Sequence, residues 1–308
     1  MSIITQLPII KQIWRIFRER KILKKHQEVA QFWQPIIAAY YNNKITKYDL
    51  TAKVPFENEK IIWQYWGQGT KQQDLPEVVQ LCFDSVDQYK EDYQVIRLDD
   101  QTVKDYLDLP DFIIKKQKRG ALGRTFYSDL LRIALLHTYG GVWLDATILL
   151  TGPIPTQLSE QPYFVYQRDP NVTNKSFWEE SYAYYWGWNP LYKVRMLNSI
   201  FFSKKKGNMV STLLDLILYY HQTQEEIIDY FFFQILYEEL INHQLKDEKC
   251  MLISDTIPHI LQTKFNGSAK DISYQEALKN TNIHKMSYFQ GDALKLMKDF
   301  VQNKIKNN

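Results

Sequence analysis

Asp129 and Arg132 stand three residues apart in Ser128–Leu136, SDLLRIALL, a spacing that puts both on one face of a helix. Leu130, Leu131, Ile133, Ala134, Leu135 and Leu136 leave little of that helix polar, so the pattern predicts burial on most sides. An acid and a guanidinium in such a place must be paired with each other or bound to something. Gly140 and Gly141 then supply a left-handed C-cap. Val142, Trp143 and Leu144 form a short apolar strand with Asp145 at its carboxyl end. In open α/β sheets that end of a strand is where ligands bind. A carboxylate there either helps hold a divalent cation against a phosphorylated ligand or caps the following turn.

A frame must hold these groups. The 308 residues are 45% apolar and 15% aromatic, which excludes a disordered chain and allows a large core. Lys60–Trp66 reads as a strand, Pro76–Tyr89 as a helix and Tyr93–Leu98 as a second strand, the order of a parallel βαβ unit. Strands are also predicted over Ile148–Leu150, Tyr163–Arg168 and Ile283–Tyr288. Residues 8–43 read as one or two helices with a break at Pro35. Further helices are predicted over Leu191–Lys205, Met209–Gln222, Glu225–His243, Asp271–Asn280 and Ala293–Lys304. The organisation is a basic, amphipathic helical region over residues 1–50 and a catalytic domain over 51–308.

The two cysteines, Cys82 and Cys250, make neither a disulfide framework nor a zinc cluster and fit a reducing compartment. No apolar run approaches the ~20 residues of a membrane span, and the N-terminal residues lack the continuous apolar stretch of a signal peptide. The expected location is cytoplasmic. Residues 8–25 carry seven basic residues against Glu19 alone, interleaved with Ile9, Ile10, Ile13, Trp14, Ile16, Phe17, Ile22 and Leu23. Such a segment either lies on an anionic membrane face or packs on the domain with its basic side in water. The rest of the chain is near neutral and carries no nucleic-acid module, so no nucleic-acid partner is expected. There is no G-x-S-x-G, Walker A or H-E-x-x-H motif.

The pattern SD-x-x-R, an apolar helical turn, YGG, an aromatic residue and an aspartate sixteen residues after the first resembles the donor-site core of a glycosyltransferase superfamily. That superfamily includes enzymes with a DXD sugar-binding motif, the glucosylating bacterial toxins and the capsular polysaccharide synthesis proteins. The ending GGVWLDAT is closest to the capsular group, and Ile61–Gly69 and Asn282–Tyr288 carry weaker matches. The resemblance implies an α/β fold with a GT-A-like, Rossmann-type sheet and helical additions on the N- and C-terminal sides. It implies a retaining transfer of galactose or glucose from a UDP-hexose to a lipid-linked oligosaccharide in bacterial capsular or surface polysaccharide synthesis. The protein would then sit on the inner face of the cell membrane. The alternative is a weakened sugar-nucleotide or glycan binding module.

Residue roles follow from the same resemblance. Asp129 would accept hydrogen bonds from donor-sugar hydroxyls, and Arg132 would contact the sugar or the diphosphate; otherwise the two form a structural ion pair. Asp145 would bind Mn²⁺ or Mg²⁺. Where DXD enzymes carry a second acid this chain has Thr147, a neutral oxygen, and His284 could supply the ligand that is lacking. Lys285 would neutralise phosphate, or His284 and Lys285 are an edge-strand histidine and a surface lysine. Trp66 or Trp63 would stack on uracil beside Gly67, unless both tryptophans are core. Asp229 or Gln234 would face the acceptor, unless DYFFFQ is a helix cap and a core face. The aromatic run Trp178–Trp188 is either an acceptor platform or a packed core.

Overall fold

The computed structural model describes residues 8–306 apart from Lys270. Residues 1–7 of the expected N-terminal region, and 270, 307 and 308 of the expected catalytic domain, lie outside the described residues. The elements run α1 (Pro8–Tyr41), β1 (Ile61–Tyr65), α2 (Glu77–Tyr89), β2 (Gln94–Leu98), α3 (Asp111–Lys118), α4 (Arg124–Tyr139), β3 (Gly141–Leu144) and β4 (Ile148–Leu150). There follow α5 (Thr156–Ser159), β5 (Tyr163–Gln167), α6 (Lys175–Ser181), β6 (Met196–Ser203), α7 (Asn208–Thr223), α8 (Phe232–Asn242), α9 (Ile260–Phe265), α10 (Tyr274–Leu278), β7 (Ile283–Lys285) and α11 (Gly291–Lys306).

The central sheet is mixed, in the order β2-β1-β3-β6-β5. β1 runs parallel to both β2 and β3, and all five of its residues are buried. IIWQY reads as a near-continuous apolar run because a central parallel strand is covered on both faces. The β1–α2–β2 crossover is the parallel unit expected from the sequence. β6 joins antiparallel to β3 and β5, and a second ladder pairs β4 with β7 antiparallel. The fold class is thus mixed α/β.

Two local expectations are corrected. The stretch Leu191–Lys205, read as a helix, holds the eight-residue strand β6, with Ile200, Phe201 and Phe202 buried between β3 and β5. A short apolar run covered on both faces has no period to separate strand from helix. Pro35 does not break α1, which runs unbroken from Pro8 to Tyr41. Pro35 and Gln31 both face water, so the carbonyl that loses its partner four residues back is solvated. Buried Trp33, Ile37 and Tyr40 hold the helix on the domain, and Trp33 Nε1 donates to Phe232 O at 3.0 Å. From Ile22 onward α1 belongs to the main hydrophobic core.

Two features position the site. The first is the join between α4 and β3. Gly140 and Gly141 have φ of +75° and +97°. A Cβ on Gly141 would lie 2.4 Å from Ile61 O, and the Gly140 carbonyl accepts from Trp63 Nε1 at 2.9 Å. The turn is therefore both left-handed and pressed against β1, which fixes how α4 faces the tip of β3.

The second is a buried ion pair behind the aromatic run. Arg168, just past β5, donates to Asp255 from Nε at 3.1 Å and from Nη2 at 3.0 Å, and both side chains are almost fully buried. Its guanidinium also donates to the carbonyls of Gly187 and Tyr185 and lies over the rings of Trp186 at 4.6 Å and Trp188 at 4.8 Å. Tyr185 Oη donates to Asp255 Oδ2 at 3.0 Å. One charge pair thus holds residues 185–188 as a rigid wall.

Gly141→Ala should destabilise the fold by at least about 1–3 kcal/mol from backbone strain alone; urea unfolding measures it, and an unchanged midpoint would contradict the tight turn. Arg168→Met, which leaves Asp255 buried without its partner, should cost about 3–5 kcal/mol. The same titration with Asp255 also replaced should recover part of that loss.

Candidate active site

Asp129, Arg132 and Asp145 converge. Arg132 is 2% exposed and bridges the two carboxylates: Nη1 donates to Asp129 Oδ1, and Nη2 donates to Asp145 Oδ1 at 3.0 Å. Its guanidinium also lies over the Trp143 ring at 5.2 Å. Asn198 Nδ2 donates to Asp129 Oδ1 at 2.9 Å, and Trp143 Nε1 to Asp145 Oδ1 at 2.7 Å. Asp129 Oδ2 has no protein donor among the described residues and faces a cavity. The three side chains share one wall because α4 lies behind β3 and Asp145 stands one residue past that strand's end.

The electrostatics differ between the acids. Burial raises the Asp129 carboxyl to about 6, against the pull of Arg132. Burial also works to raise Asp145, but Arg132, Lys285 and the Trp143 N–H outweigh it, and its pKa lies below the usual carboxylate range. Asp145 is therefore a fixed anion at neutral pH.

Two adjoining cavities meet at this cluster. The smaller, about 340 Å³, is lined by Trp66, Gly67, Arg124, Thr147 and Tyr288. The larger, about 480 Å³, is lined by Asp129, Arg132, Tyr182, Trp186, Asn198, Gln234 and His259. Asp145, Lys285 and Tyr230 belong to both. At the lip of the smaller one, the Trp66 and Tyr288 rings lie 6.3 Å apart. Tyr65 Oη donates to Asp100, which Arg124 also meets at 2.8 Å. A Cβ on Gly67 would lie 2.5 Å from Tyr65 Oη and 2.6 Å from Arg124 Nε, so only glycine leaves room for that arrangement.

On the far wall of the larger cavity, Gln234 Oε1 is buried without a partner. His259 Nδ1 lies 2.7 Å from the Asp255 carbonyl, and burial lowers its pKa to about 4. A carbonyl can only accept, so the neutral ring carries its proton on Nδ1 and keeps a lone pair on Nε2. Gln234 and His259 therefore offer hydrogen-bonding groups to a polar ligand.

The other expected site residues divide. Trp66, Gly67, Thr147 and Lys285 line the cavities, whereas Trp63, His284 and Asp229 do not join them. Trp63 is fully buried and bonded to Gly140, a core residue of β1. His284 is fully buried on the side of β7 away from Lys285, shares a hydrogen bond with Thr151 Oγ1 at 3.0 Å, and is pushed by burial down to about 3. Successive strand residues face opposite ways, so Lys285 at the site turns His284 from it. Asp229 precedes α8, accepts from Phe231 N at 2.8 Å, and lines a separate cavity beside α1 with Lys21 and Lys25.

Asn198, Tyr230, His259, Arg124 and Tyr288 also line the cavities. Reading β6 as a helix hid Asn198. Recognising Met196–Ser203 as a strand beside β3 would have placed it near Asp145, whose N–H donates to Ser199 O at 2.9 Å.

A divalent cation does not fit the donors present. Asp145 Oδ1 is taken by Arg132 and Trp143. Lys285 Nζ donates to Thr147 Oγ1 at 2.5 Å and stands 3.6 Å from Asp145 Oδ2. Among the described residues no three His, Cys, Asp or Glu side chains gather as a metal-binding set.

No curated protein matches this chain. Among solved structures, a chain titled PaToxG Glycosyltransferase aligns over 93% of this chain and 97% of its own, with 12% identity and a TM-score of 0.38. The profile of the capsular polysaccharide synthesis protein family matches residues 12–303, which include α4, β3, β4 and β7. The chain belongs to the capsular polysaccharide synthesis protein family.

Proposed function

We propose that this protein is a retaining glycosyltransferase of the GT-A type. It moves a hexose, glucose or galactose, from a UDP-sugar to a hydroxyl of a lipid-linked glycan in bacterial capsular or surface polysaccharide synthesis. The observation that carries the reading is the convergence of Asp129, Arg132 and Asp145 on the wall shared by two cavities, with Lys285 at their junction. The smaller cavity takes the nucleotide, with the uracil against Trp66 and the diphosphate at Lys285. The larger takes the hexose and the acceptor.

The chemistry follows from the charges. Breaking the glycosidic bond leaves negative charge on the diphosphate, and the Lys285 ammonium beside the break stabilises it. Asp129 Oδ2, the carboxylate oxygen with no protein donor, accepts a hexose hydroxyl, while Arg132 holds that carboxylate in place. The acceptor oxygen bonds the anomeric carbon on the face the diphosphate leaves. Its proton passes to a diphosphate oxygen, and no covalent enzyme intermediate forms. Gln234 and His259 orient sugar hydroxyls from the far wall.

The acceptor's lipid matches the start of α1. Ile13, Trp14, Ile16 and Phe17 are exposed beside Arg15, Arg18, Arg20 and Lys21, and Trp14, Phe17 and Tyr184 line one open hollow. Tyr184 packs on Tyr182, which lines the larger cavity. Apolar and basic side chains on a helix that lies on a membrane suit an anionic surface, and no helix among the described residues is long and apolar enough to cross one.

Release of UDP from UDP-glucose and UDP-galactose tests the reading. Asp129→Asn, its fold checked by circular dichroism, should lower the rate about 10²–10³-fold. Full turnover in that variant would contradict the role of the cluster. Binding of the nucleotide sugar without turnover in the native chain would make it a binding module instead. The membrane role is read by sedimentation with phosphatidylglycerol vesicles. Trp14→Ser with Phe17→Ser should cut the bound fraction about tenfold; unchanged sedimentation would oppose it.

A further inference from the structure

We propose that the Lys285 ammonium stands in place of the divalent cation at the diphosphate position, so that this chain binds its nucleotide without metal. The inference rests on the donor reading above and concerns how that site meets the phosphate charge.

Position comes first. A cation shared by Asp145 and Thr147 would need oxygens about 2.0–2.6 Å away. Lys285 Nζ lies 2.5 Å from Thr147 Oγ1 and 3.6 Å from Asp145 Oδ2, so the ammonium fills the space beside Thr147 from which a cation would bond both. The backbone puts it there: Ile148 of β4 pairs with Lys285 of β7, and Met286 N donates to Thr147 O at 2.9 Å. The lysine is therefore registered against the Asp145–Thr147 turn by a sheet ladder, unlike a side chain reaching over from a free loop.

Ligand supply comes second. Only Asp145 Oδ2 is left on that carboxylate, Asp129 Oδ1 is held by Arg132 and Asn198 while Asp129 lines only the larger cavity, away from Thr147, and His284 is turned away. Charge comes third. Arg132 and Lys285 balance Asp129 and Asp145. A dication would add two positive charges beside two fixed ones, whereas a diphosphate meets an ammonium suited to it as a point-charge phosphate binder.

Calorimetric titration with UDP, in EDTA and in Mn²⁺, tests this, with manganese EPR as a second readout. UDP should bind in EDTA with a Kd within about twofold of that in Mn²⁺, and the protein should not capture Mn²⁺ beyond what UDP itself holds. Lys285→Ala should weaken UDP in EDTA about 50-fold, and Lys285→Arg should restore much of it; thermal melting checks that both fold. UDP bound only with Mn²⁺, or bound equally by Lys285→Ala, would overturn the inference and leave the transferase reading standing. No UDP binding in either buffer would overturn both.

Discussion

A guanidinium buried to 2% exposure cannot stand alone in a protein interior. Arg132 meets that constraint by bridging Asp129, three residues before it, and Asp145, thirteen residues after it across the Gly140–Gly141 turn. The bridge only closes if α4 ends where it does, if the turn passes tight under β1, and if β3 stops at Leu144. Helix, turn, strand and site are consequently one construction. From two later parts of the chain, Asn198 of β6 adds a hydrogen bond to Asp129 and Lys285 of β7 completes the charge balance.

Both halves of the molecule contribute to both cavities. The β1, α4 and β3 segment brings Trp66, Gly67 and Arg124 to the smaller one and Asp129 and Arg132 to the larger, and later residues bring Lys285 and Tyr288 to the smaller. The residues after β5 also bring the far wall of the larger one. Its rigidity comes from Arg168 and Asp255, which hold Tyr185 and Trp186 by backbone and ring contacts at once. The cost of burying that pair is met by a full set of partners, which suits a surface whose task is to hold a shape.

Much of this was legible in the sequence, for physical reasons. The acid and arginine on an otherwise apolar helix, the two glycines and the aspartate after three apolar residues each constrain their surroundings locally, and all three landed together. The parallel crossover was legible because Pro76, the apolar strand Ile61–Tyr65 and the following helix agree. What failed depended on distant partners. Leu191–Lys205 reads as a helix until β3 and β5 pair with the two edges of β6 and α4 and α8 pack on it. His284 and Lys285 look equally suited to chemistry, and only pairing with β4 decides which faces the site. Trp63 and Trp66 differ in the same way: one ring is buried against Gly140, and the other is left at the cavity lip.

The account stands on the cluster at the tip of β3 holding a nucleoside diphosphate. A crystal structure with UDP examines that directly. The diphosphate is expected within about 3 Å of Lys285 Nζ, and the uracil against the Trp66 ring. UDP seated on another surface, with Asp145 and Lys285 untouched, would contradict it.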